Sequence, residues 1–298
     1  PGGARWSRTA RLWVLPRTAD RPGRLGGRVD RRLQRDVDRL VGGVPAVAGV
    51  WVQHLLSGCG AARNAGAAFP AASTLKAAIL VEAVRQAHGR PGPGLAGLLD
   101  HMVLDSDDRA ANAVLGVLGG GSGYAGADAV SGTMSAMGMF ASRATAPYII
   151  DDPPRDEQQV IPLRTESQPD LHTNFVTTPR DLGQLMLTVH QGALGRGPLR
   201  RMGLSAVTVR REVLGRLLEV RDDTKLASGI AGEVPLAHKT GYTRQVKHDA
   251  GIAYLRRGPV LVVAMTWSAS GVDDAVGDPF IRRVGDAAVR RLRGGGRC

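Results

Sequence analysis

The carboxy-terminal part of the chain constrains the fold more than any other segment. Residues 235–238, 248–255 and 259–267 are three apolar, strand-like runs separated by short turns. Strands that are joined by such short connections pair antiparallel. The apolar residues of 274–292 recur at helical spacing, which predicts a closing helix with one buried face. This part of the sequence therefore predicts an antiparallel sheet with a C-terminal helix packed on it.

The amino-terminal part of the chain supplies further elements of the same kind. Leu33 and Val37 lie on one side of an amphipathic helix that is predicted to begin near Val29. Residues 47–52 predict a buried strand, and the small residues of 57–60 predict the turn of a hairpin. The two ends of the chain are thus expected to build the sheet together.

The middle of the chain shows helical patterns, without strands. The predicted helices cover 73–88, a pair within 95–118, 124–139 and a segment capped by Thr178. The polar stretch 147–176 is predicted to be one long loop. The fold class is therefore α/β, of the α+β type: a sheet lobe over about 29–70 and 225–293 is flanked by N- and C-terminal helices, and a helical lobe covers about 71–224.

The positive charge of the chain is concentrated at its ends. Of the formal net charge of +12, residues 1–40 contribute +7, from eleven Arg and four Asp, and the last nine residues carry four Arg. Residues 1–28 are therefore predicted to be a basic tail or linker outside a domain of residues 29–293, and a solvated tail is favoured over an arm that binds nucleic acid or anionic lipid. With 4% aromatic residues and a nearly neutral body, nucleic-acid binding is not expected.

Cofactors, metals and membrane segments are not predicted. The two cysteines, Cys59 and Cys298, form no disulfide framework or metal motif by their spacing. The seven histidines show no pair at metal-ligand spacing within a helix, and the G-x-G-x-x-G string at 121–126 follows a helix instead of a strand. The apolar stretch 41–56 is too short to cross a bilayer, and no export signal is recognisable.

Three short strings carry the chemical signal. They are Ser73-Thr74-Leu75-Lys76, Ser106-Asp107-Asp108 and Lys239-Thr240-Gly241. The chain has only four lysines, and Lys76 and Lys239 are the lysines of two of these strings. Residues three apart on a helix share a face, so the Lys76 ammonium can reach the Ser73 hydroxyl. Because a serine is a weak nucleophile without a base, this pair indicates nucleophilic catalysis.

In this order and context, the strings resemble the S-x-x-K, S-D-N and K-T-G motifs of the penicillin-recognising serine hydrolases. Over about residues 30–293 the chain is most similar to class A β-lactamases. The resemblance implies a β-lactamase/transpeptidase-like fold, an acyl-enzyme mechanism without a cofactor, and a β-lactam or peptidoglycan-like substrate. It also implies a periplasmic or extracellular location, and we expect a monomer.

The resemblance assigns catalytic roles to three residues. Ser73 attacks the amide carbonyl and Lys76 acts as its base. Ser106 relays a proton towards the leaving nitrogen. The alternative for Ser106 is a helix-capping serine followed by acids in the first turn.

The third string and its successor are implied to bind the substrate. Lys239 and Thr240 meet the substrate's carboxylate, and Gly241 leaves room for close approach. The backbone N–H of Tyr242 pairs with that of Ser73 as an oxyanion hole. Such a donor typically contributes roughly 10²–10³ in rate.

The chain departs from the family pattern at three places. Asp108 replaces the asparagine whose amide donates to the substrate's side-chain carbonyl; an ionised carboxylate only accepts, and near Lys76 it holds the ammonium protonated. The segment between the first two strings is shorter than in typical class A enzymes. In 164–170, R-x-E-x-x-x-D resembles the family's R-x-E-x-x-x-N, which makes Glu166 the candidate for activating water, with Glu157 or a plain surface carboxylate as alternatives.

The sequence therefore leads to a class A β-lactamase-like serine hydrolase as the first hypothesis. The alternatives are a D-alanyl peptidase or esterase of the same fold, or a non-catalytic cell-envelope protein that keeps the fold as a binding module. Arg244 and Lys247 are candidates for a second cation near the substrate carboxylate, although surface charges explain them equally well.

Overall fold

The strands of the main sheet come from the first and last parts of the described chain, and most of the helices lie between them. The computed structural model describes residues 28–148, 160–161, 171–230, 234–296 and 298. The strands are β1 (Val47–His54), β2 (Gly60–Arg63), β3 (Phe69–Pro70), β4 (Arg143–Ala144), β5 (Val160–Ile161), β6 (Leu171–His172), β7 (Phe175–Thr177), β8 (Leu236–Tyr242), β9 (Val246–Leu255) and β10 (Gly258–Trp267). The helices are α1 (Arg31–Gly43), α2 (Lys76–Gln86), α3 (Pro93–Leu104), α4 (Asp108–Leu118), α5 (Gly123–Ala136), α6 (Pro179–Ala193), α7 (Gly197–Arg201), α8 (Ala206–Thr208), α9 (Gly215–Leu217), α10 (Leu226–Gly229) and α11 (Asp274–Leu292). A 3₁₀ turn covers Ala72–Leu75, and a π-helical segment covers Val209–Leu214.

The main sheet joins the two ends of the chain, as predicted. Its five strands are antiparallel and lie in the order β2-β1-β10-β9-β8. Along β10, Val260 and Val262 face one core, whereas Leu261 and Val263 face the other. Side chains alternate between the faces of a strand, so both faces of the central strands are buried under helices.

Two helices cover one face of the sheet, at the predicted positions. The Asp30 carboxylate accepts hydrogen bonds from the first turn of α1, which buries Leu33 and Val37. The Asp273 side chain caps α11, which buries Phe280, Ile281 and other apolar residues against the same core. Asp residues are favoured at such positions because their oxygens accept from helix N–H groups that lack intrahelical partners.

The helical middle of the chain is built around α2. This helix is buried on all sides, and α3, α4 and α5 pack around it. Glu82 is a buried carboxylate of this helix, and its oxygens accept hydrogen bonds from Arg85, Gln86 and Thr133. A helix that is apolar on all faces is expected only inside a core, and this is where α2 lies.

Four expectations from the sequence need correction. The α-helix of the first string begins at Lys76, after a 3₁₀ turn, instead of at Ser73. The third string lies inside β8 instead of after a strand, because paired backbone groups of β9 extend the strand through it. The segment 147–176 is not one loop, since β7 pairs with β3 and β4.

The fourth correction concerns the cysteines. Cys59, in the β1–β2 turn, and Cys298 form a disulfide across a sequence separation of 239 residues. Spacing alone gave no sign of this pair because the fold, not the sequence, brings the two ends of the chain together. The predicted tail lies almost entirely outside the described residues, and the proposed domain limits stay a prediction. Among the helices that the structure describes, none has the length and apolarity needed to cross a bilayer.

Candidate active site

Ser73 lies in the 3₁₀ turn that leads into α2, at one side of an open cavity of about 500 Å³. The turn is held by Thr74, whose hydroxyl donates to the Ala71 carbonyl at 2.7 Å. Ala72 has a φ of 47°, in the left-handed region that residues with a Cβ rarely adopt. Such strain is tolerated where the surrounding structure fixes the backbone, and it is common at functional sites.

Lys76 is buried, and its ammonium contacts the nucleophile Ser73 and two residues of the second string. The Nζ atom donates to Ser73 Oγ at 2.9 Å, to the Ser106 carbonyl at 2.5 Å and to Asp108 Oδ1 at 2.5 Å. It also lies 4.8 Å from the centre of the Tyr148 ring. Burial lowers the pKa of Lys76, and the Asp108 carboxylate opposes that effect without cancelling it.

The second string forms the loop between α3 and α4. Asp107, not Ser106, caps α4: its carboxylate accepts from the Ala110 N–H at 2.6 Å. Ser106 has a φ of 60°, and its hydroxyl accepts a hydrogen bond from Lys239 at 2.9 Å. The capping alternative therefore does not apply to Ser106, whose side chain faces the charged groups of the site.

The third string, on β8, contributes a second buried ammonium, that of Lys239. Lys239 is 0% exposed, and its Nζ donates to Ser106 Oγ and, at 3.0 Å, to the Thr240 carbonyl. Burial, with the nearby positive charge of Lys76, lowers the pKa of Lys239 to about 7. The site thus holds two lysines whose charges both depend on their surroundings.

Gly241 permits the close approach of β8 to the nucleophile turn. A Cβ atom at this position would lie 3.0 Å from the backbone nitrogen of Thr74 and 3.1 Å from the Ala71 carbonyl oxygen. Thr240 before it is buried, whereas Tyr242 after it is exposed at the rim of the cavity. Ser73 and Tyr242 both line this cavity.

Aromatic and amide side chains that the sequence did not point to line the rest of the cavity. Tyr148 stacks on Phe175 with a centroid distance of 4.2 Å, and Asn112 fixes Tyr148 by two backbone hydrogen bonds of 2.7 and 2.8 Å. Asn174 also lines the cavity. The pattern around these residues is polar and aperiodic, so only the fold reveals that they meet the nucleophile.

The cations near the third string include one that the sequence did not single out. Lys225 and Lys247 each lie 5.5 Å from the centre of the Tyr242 ring. Lys225 is nearly buried and pairs with Asp222 at 2.9 Å, and Lys247 pairs with Asp274. Arg244 lines the cavity. The scarcity of lysine in the sequence is the one signal that points to Lys225.

The structure thus brings together seven of the predicted site residues. They are Ser73, Lys76, Ser106, Asp108, Lys239, Thr240 and Gly241. Tyr242 lies at the rim of the same cavity. Glu166 and its alternative Glu157 lie outside the described residues, so their assignment stays a prediction.

A sequence-family model and several solved structures match this chain. The sequence model of the beta-lactamase enzyme family matches residues 32–90 and 94–292. No curated protein matches the sequence significantly.

Solved structures share the fold at low sequence identity. A mutant of PBP-A, solved as an acyl-enzyme complex with penicillin G, is 24% identical, with 92% of this chain and 99% of that chain covered and a TM-score of 0.69. A beta-lactamase from Sphaerobacter thermophilus is 18% identical, with 88% and 96% covered and a TM-score of 0.66. A beta lactamase from Xanthomonas campestris is 18% identical, with 89% and 97% covered and a TM-score of 0.66.

Proposed function

Because this chain belongs to the beta-lactamase enzyme family, we propose that it is a serine hydrolase that opens a β-lactam amide through an acyl-enzyme on Ser73. The observation that carries this proposal is the 2.9 Å contact between Lys76 Nζ and Ser73 Oγ. A base within hydrogen-bond distance of a hydroxyl is the geometric requirement for activating it as a nucleophile.

In the proposed first step, Lys76 in its neutral form takes the proton from Ser73 Oγ. The oxygen then forms a bond to the carbonyl carbon of the substrate. Burial favours the neutral form of Lys76 and thus supports the base role. The Asp108 carboxylate opposes it, so Asp108 sets how much neutral base is present at a given pH.

In the second step the carbon–nitrogen bond breaks and the leaving nitrogen must receive a proton. Ser106 is suited to this relay because its hydroxyl accepts a hydrogen bond from Lys239 Nζ at 2.9 Å, while its backbone carbonyl is held by Lys76 Nζ at 2.5 Å. The hydroxyl can therefore give its proton to the nitrogen and take one from the Lys239 ammonium, while Lys76 keeps the proton that it took from Ser73. The net result is an ester on Ser73 and a neutral amine on the substrate.

Binding of the substrate involves β8. The Lys239 ammonium and the Thr240 hydroxyl are proposed to bind the substrate's carboxylate. The backbone N–H groups of Ser73 and Tyr242 are proposed to stabilise the oxyanion, and the close packing at Gly241 supports this pairing.

Deacylation requires an activated water, for which Glu166 is our candidate and Glu157 the alternative. Since such substrates belong to the cell envelope, we expect the protein to act in the periplasm or outside the cell.

A second candidate function is a D-alanyl peptidase or esterase of the same fold. The esterase is favoured by the 2.5 Å contact between Lys76 and Asp108, because a base that is held protonated slows attack on an amide more than attack on a more reactive ester. The non-catalytic alternative is less favoured, because the contacts between Ser73, Lys76 and Lys239 would then serve no reaction.

The test is hydrolysis of a chromogenic cephalosporin by the purified chain, with Ser73→Ala as the matched control. Turnover that disappears in the variant is the expected result. If the parent chain shows no turnover, the intact mass after incubation with penicillin separates the alternatives. A stable adduct on Ser73 indicates the peptidase or esterase role, and no adduct leaves the binding role.

A further inference from the structure

Asp108 is the residue of the site whose chemistry differs most from the family pattern. In the family the asparagine amide at this position donates to a carbonyl of the substrate, whereas an ionised carboxylate can only accept. The Asp108 side chain is 44% exposed and lines the cavity beside Ser73. Its Oδ1 atom accepts from Lys76, and its Oδ2 atom has no hydrogen-bond partner among the described residues. The carboxylate therefore has unused acceptor capacity at the cavity.

A second acceptor belongs to the same cavity. Asn174 is only 8% exposed, and its side-chain oxygen has no hydrogen-bond partner in the described part of the chain. A buried acceptor without a donor is unfavourable, and a ligand that supplies a donor removes this cost. Asp108 and Asn174 both line the cavity. Asp108 is the exposed acceptor of the two, and its carboxylate matches a ligand group that donates hydrogen bonds, not one that accepts them.

The charges around the cavity are also unequal. The loop of the second string contributes Asp108 and, behind it, Asp107. The turn after β8 contributes Arg244 to the cavity lining, whereas Lys239 is fully buried and contacts Ser106. Ser73, Asp108 and Arg244 line the same cavity, so a ligand beside Ser73 meets one carboxylate and one guanidinium. Such a field favours a dipolar ligand over one with a single negative charge.

We propose that this site selects zwitterionic substrates, with a protonated amine on the acyl side of the scissile amide, bound at Asp108, and a carboxylate on the leaving-group side. The chemical class is a β-lactam with an amino group on its side chain, or a short peptide with a free amine. This inference rests on the proposed function, because it assumes that the amide is presented to Ser73.

The same arrangement gives the substrate a part in activating the base. A substrate ammonium beside Asp108 shares the carboxylate with Lys76 and repels the Lys76 ammonium. Both effects favour the loss of a proton from Lys76. The fitting substrate therefore increases the fraction of neutral base, whereas a substrate without the amine leaves Lys76 held by Asp108.

The test compares benzylpenicillin with ampicillin, which differ by one α-amino group. At pH 6.5, where this amine is charged, the rate of adduct formation on Ser73 is followed by intact mass. The parent chain is expected to prefer ampicillin by about tenfold, the usual size of a hydrogen bond to a charged group. Asp108→Asn should abolish this preference. Asp105→Asn removes a charge from the same loop, outside the cavity lining, and should retain it.

Two kinetic results would each overturn the inference: equal acylation rates of the parent chain with both compounds, or a preference that persists in Asp108→Asn. If Asp108→Asn acylates too slowly to measure, calorimetric binding of both compounds to Ser73→Ala, with and without Asp108→Asn, makes the same comparison. Equal binding of both compounds to Ser73→Ala also contradicts it. Selective binding without any adduct on Ser73 in the parent chain contradicts the proposed function instead and leaves the amine selectivity standing.

Discussion

The site has two sides, and their lysines lie in different electrostatic surroundings. The nucleophile side contains Lys76 with Ser73 and Asp108, and the strand side contains Lys239 on β8. Both Lys76 and Lys239 are 0% exposed. Lys76 has a carboxylate at 2.5 Å, from Asp108, whereas Lys239 contacts only the Ser106 hydroxyl and the Thr240 carbonyl among the described residues. Burial lowers the pKa of both groups, but Lys76 has the direct contact with Asp108 that raises its pKa, whereas the positive charge of Lys76 lowers the pKa of Lys239 further.

This difference gives each side its own dependence on pH. The strand-side cation titrates near neutrality, since the pKa of Lys239 is lowered to about 7. The nucleophile-side ammonium keeps its proton more firmly because Asp108 opposes the effect of burial. As a base, Lys76 must lose its proton to work; as an anchor for a carboxylate, Lys239 must keep its proton. The two requirements predict a bell-shaped pH profile.

Replacing each lysine by methionine should give the largest effects and should distinguish the base, Lys76, from the carboxylate-binding residue, Lys239. Lys76→Met removes the base, and we expect the acylation rate at saturating penicillin to fall by about 10²–10⁴. Lys239→Met should mainly raise the penicillin concentration needed for half-maximal rate. Stopped-flow or quenched mass measurements of the Ser73 adduct distinguish rate from affinity. An acylation rate within tenfold of the parent in Lys76→Met contradicts the assignment of the base.

Gly241→Ala tests the contact that joins the two sides. The added Cβ would meet the Thr74 nitrogen at 3.0 Å, and neither backbone can move freely. A displaced strand misplaces the Tyr242 N–H, and we expect acylation to fall by roughly 10², the usual effect of losing an oxyanion donor.

The matched control for Gly241→Ala is Gly97→Ala. Gly97 lies in α3, and nothing lies within 4 Å of a Cβ built there. This control should leave acylation unchanged. If both variants acylate like the parent, the close approach of β8 has no role in stabilising the oxyanion.

The sequence predicted the elements whose patterns are local. The bounds of α11 agree with the predicted 274–292, because one helix face repeats apolar residues that pack on the sheet. The motif residues also came from the sequence, since spacing on a helix relates Ser73 to Lys76. The apolar run 235–238 predicts a strand that ends before the third string; pairing with β9 extends the strand through the string.

Contacts between distant segments were not predictable in the same way. Tyr148 and Phe175 stack on each other although the sequence between them has no periodic pattern. Cys59 and Cys298 meet only because α11 returns the end of the chain to the first hairpin. The motif residues can thus be recognised in the sequence, whereas tertiary packing determines which other residues line the cavity around them.

Asp108→Asn should make the two sides more alike. Without the Asp108 carboxylate, only the more distant charge of Asp107 opposes the effect of burial, and the pKa of Lys76 falls further. Because the neutral lysine is the base, the acid limb of the acylation rate with benzylpenicillin should move to lower pH. Asp105→Asn should leave the limb in place. An unchanged acid limb in Asp108→Asn would show that another group controls it.

The smallest expected effect concerns the strand side alone. Since Lys239 binds the carboxylate only when protonated, affinity for an anionic substrate should decrease as the pH rises through about 7. A neutral ester lacks the carboxylate and should show no such decrease. Lys239→Arg keeps a permanent charge at this position, because a guanidinium does not titrate in this range. The affinity of that variant for benzylpenicillin, measured between pH 6 and 8 in the Ser73→Ala background, should therefore be constant, whereas the Lys239 parent loses about three- to tenfold. A decrease of equal size in Lys239→Arg assigns the titration to a group other than Lys239 and removes the difference between the two sides.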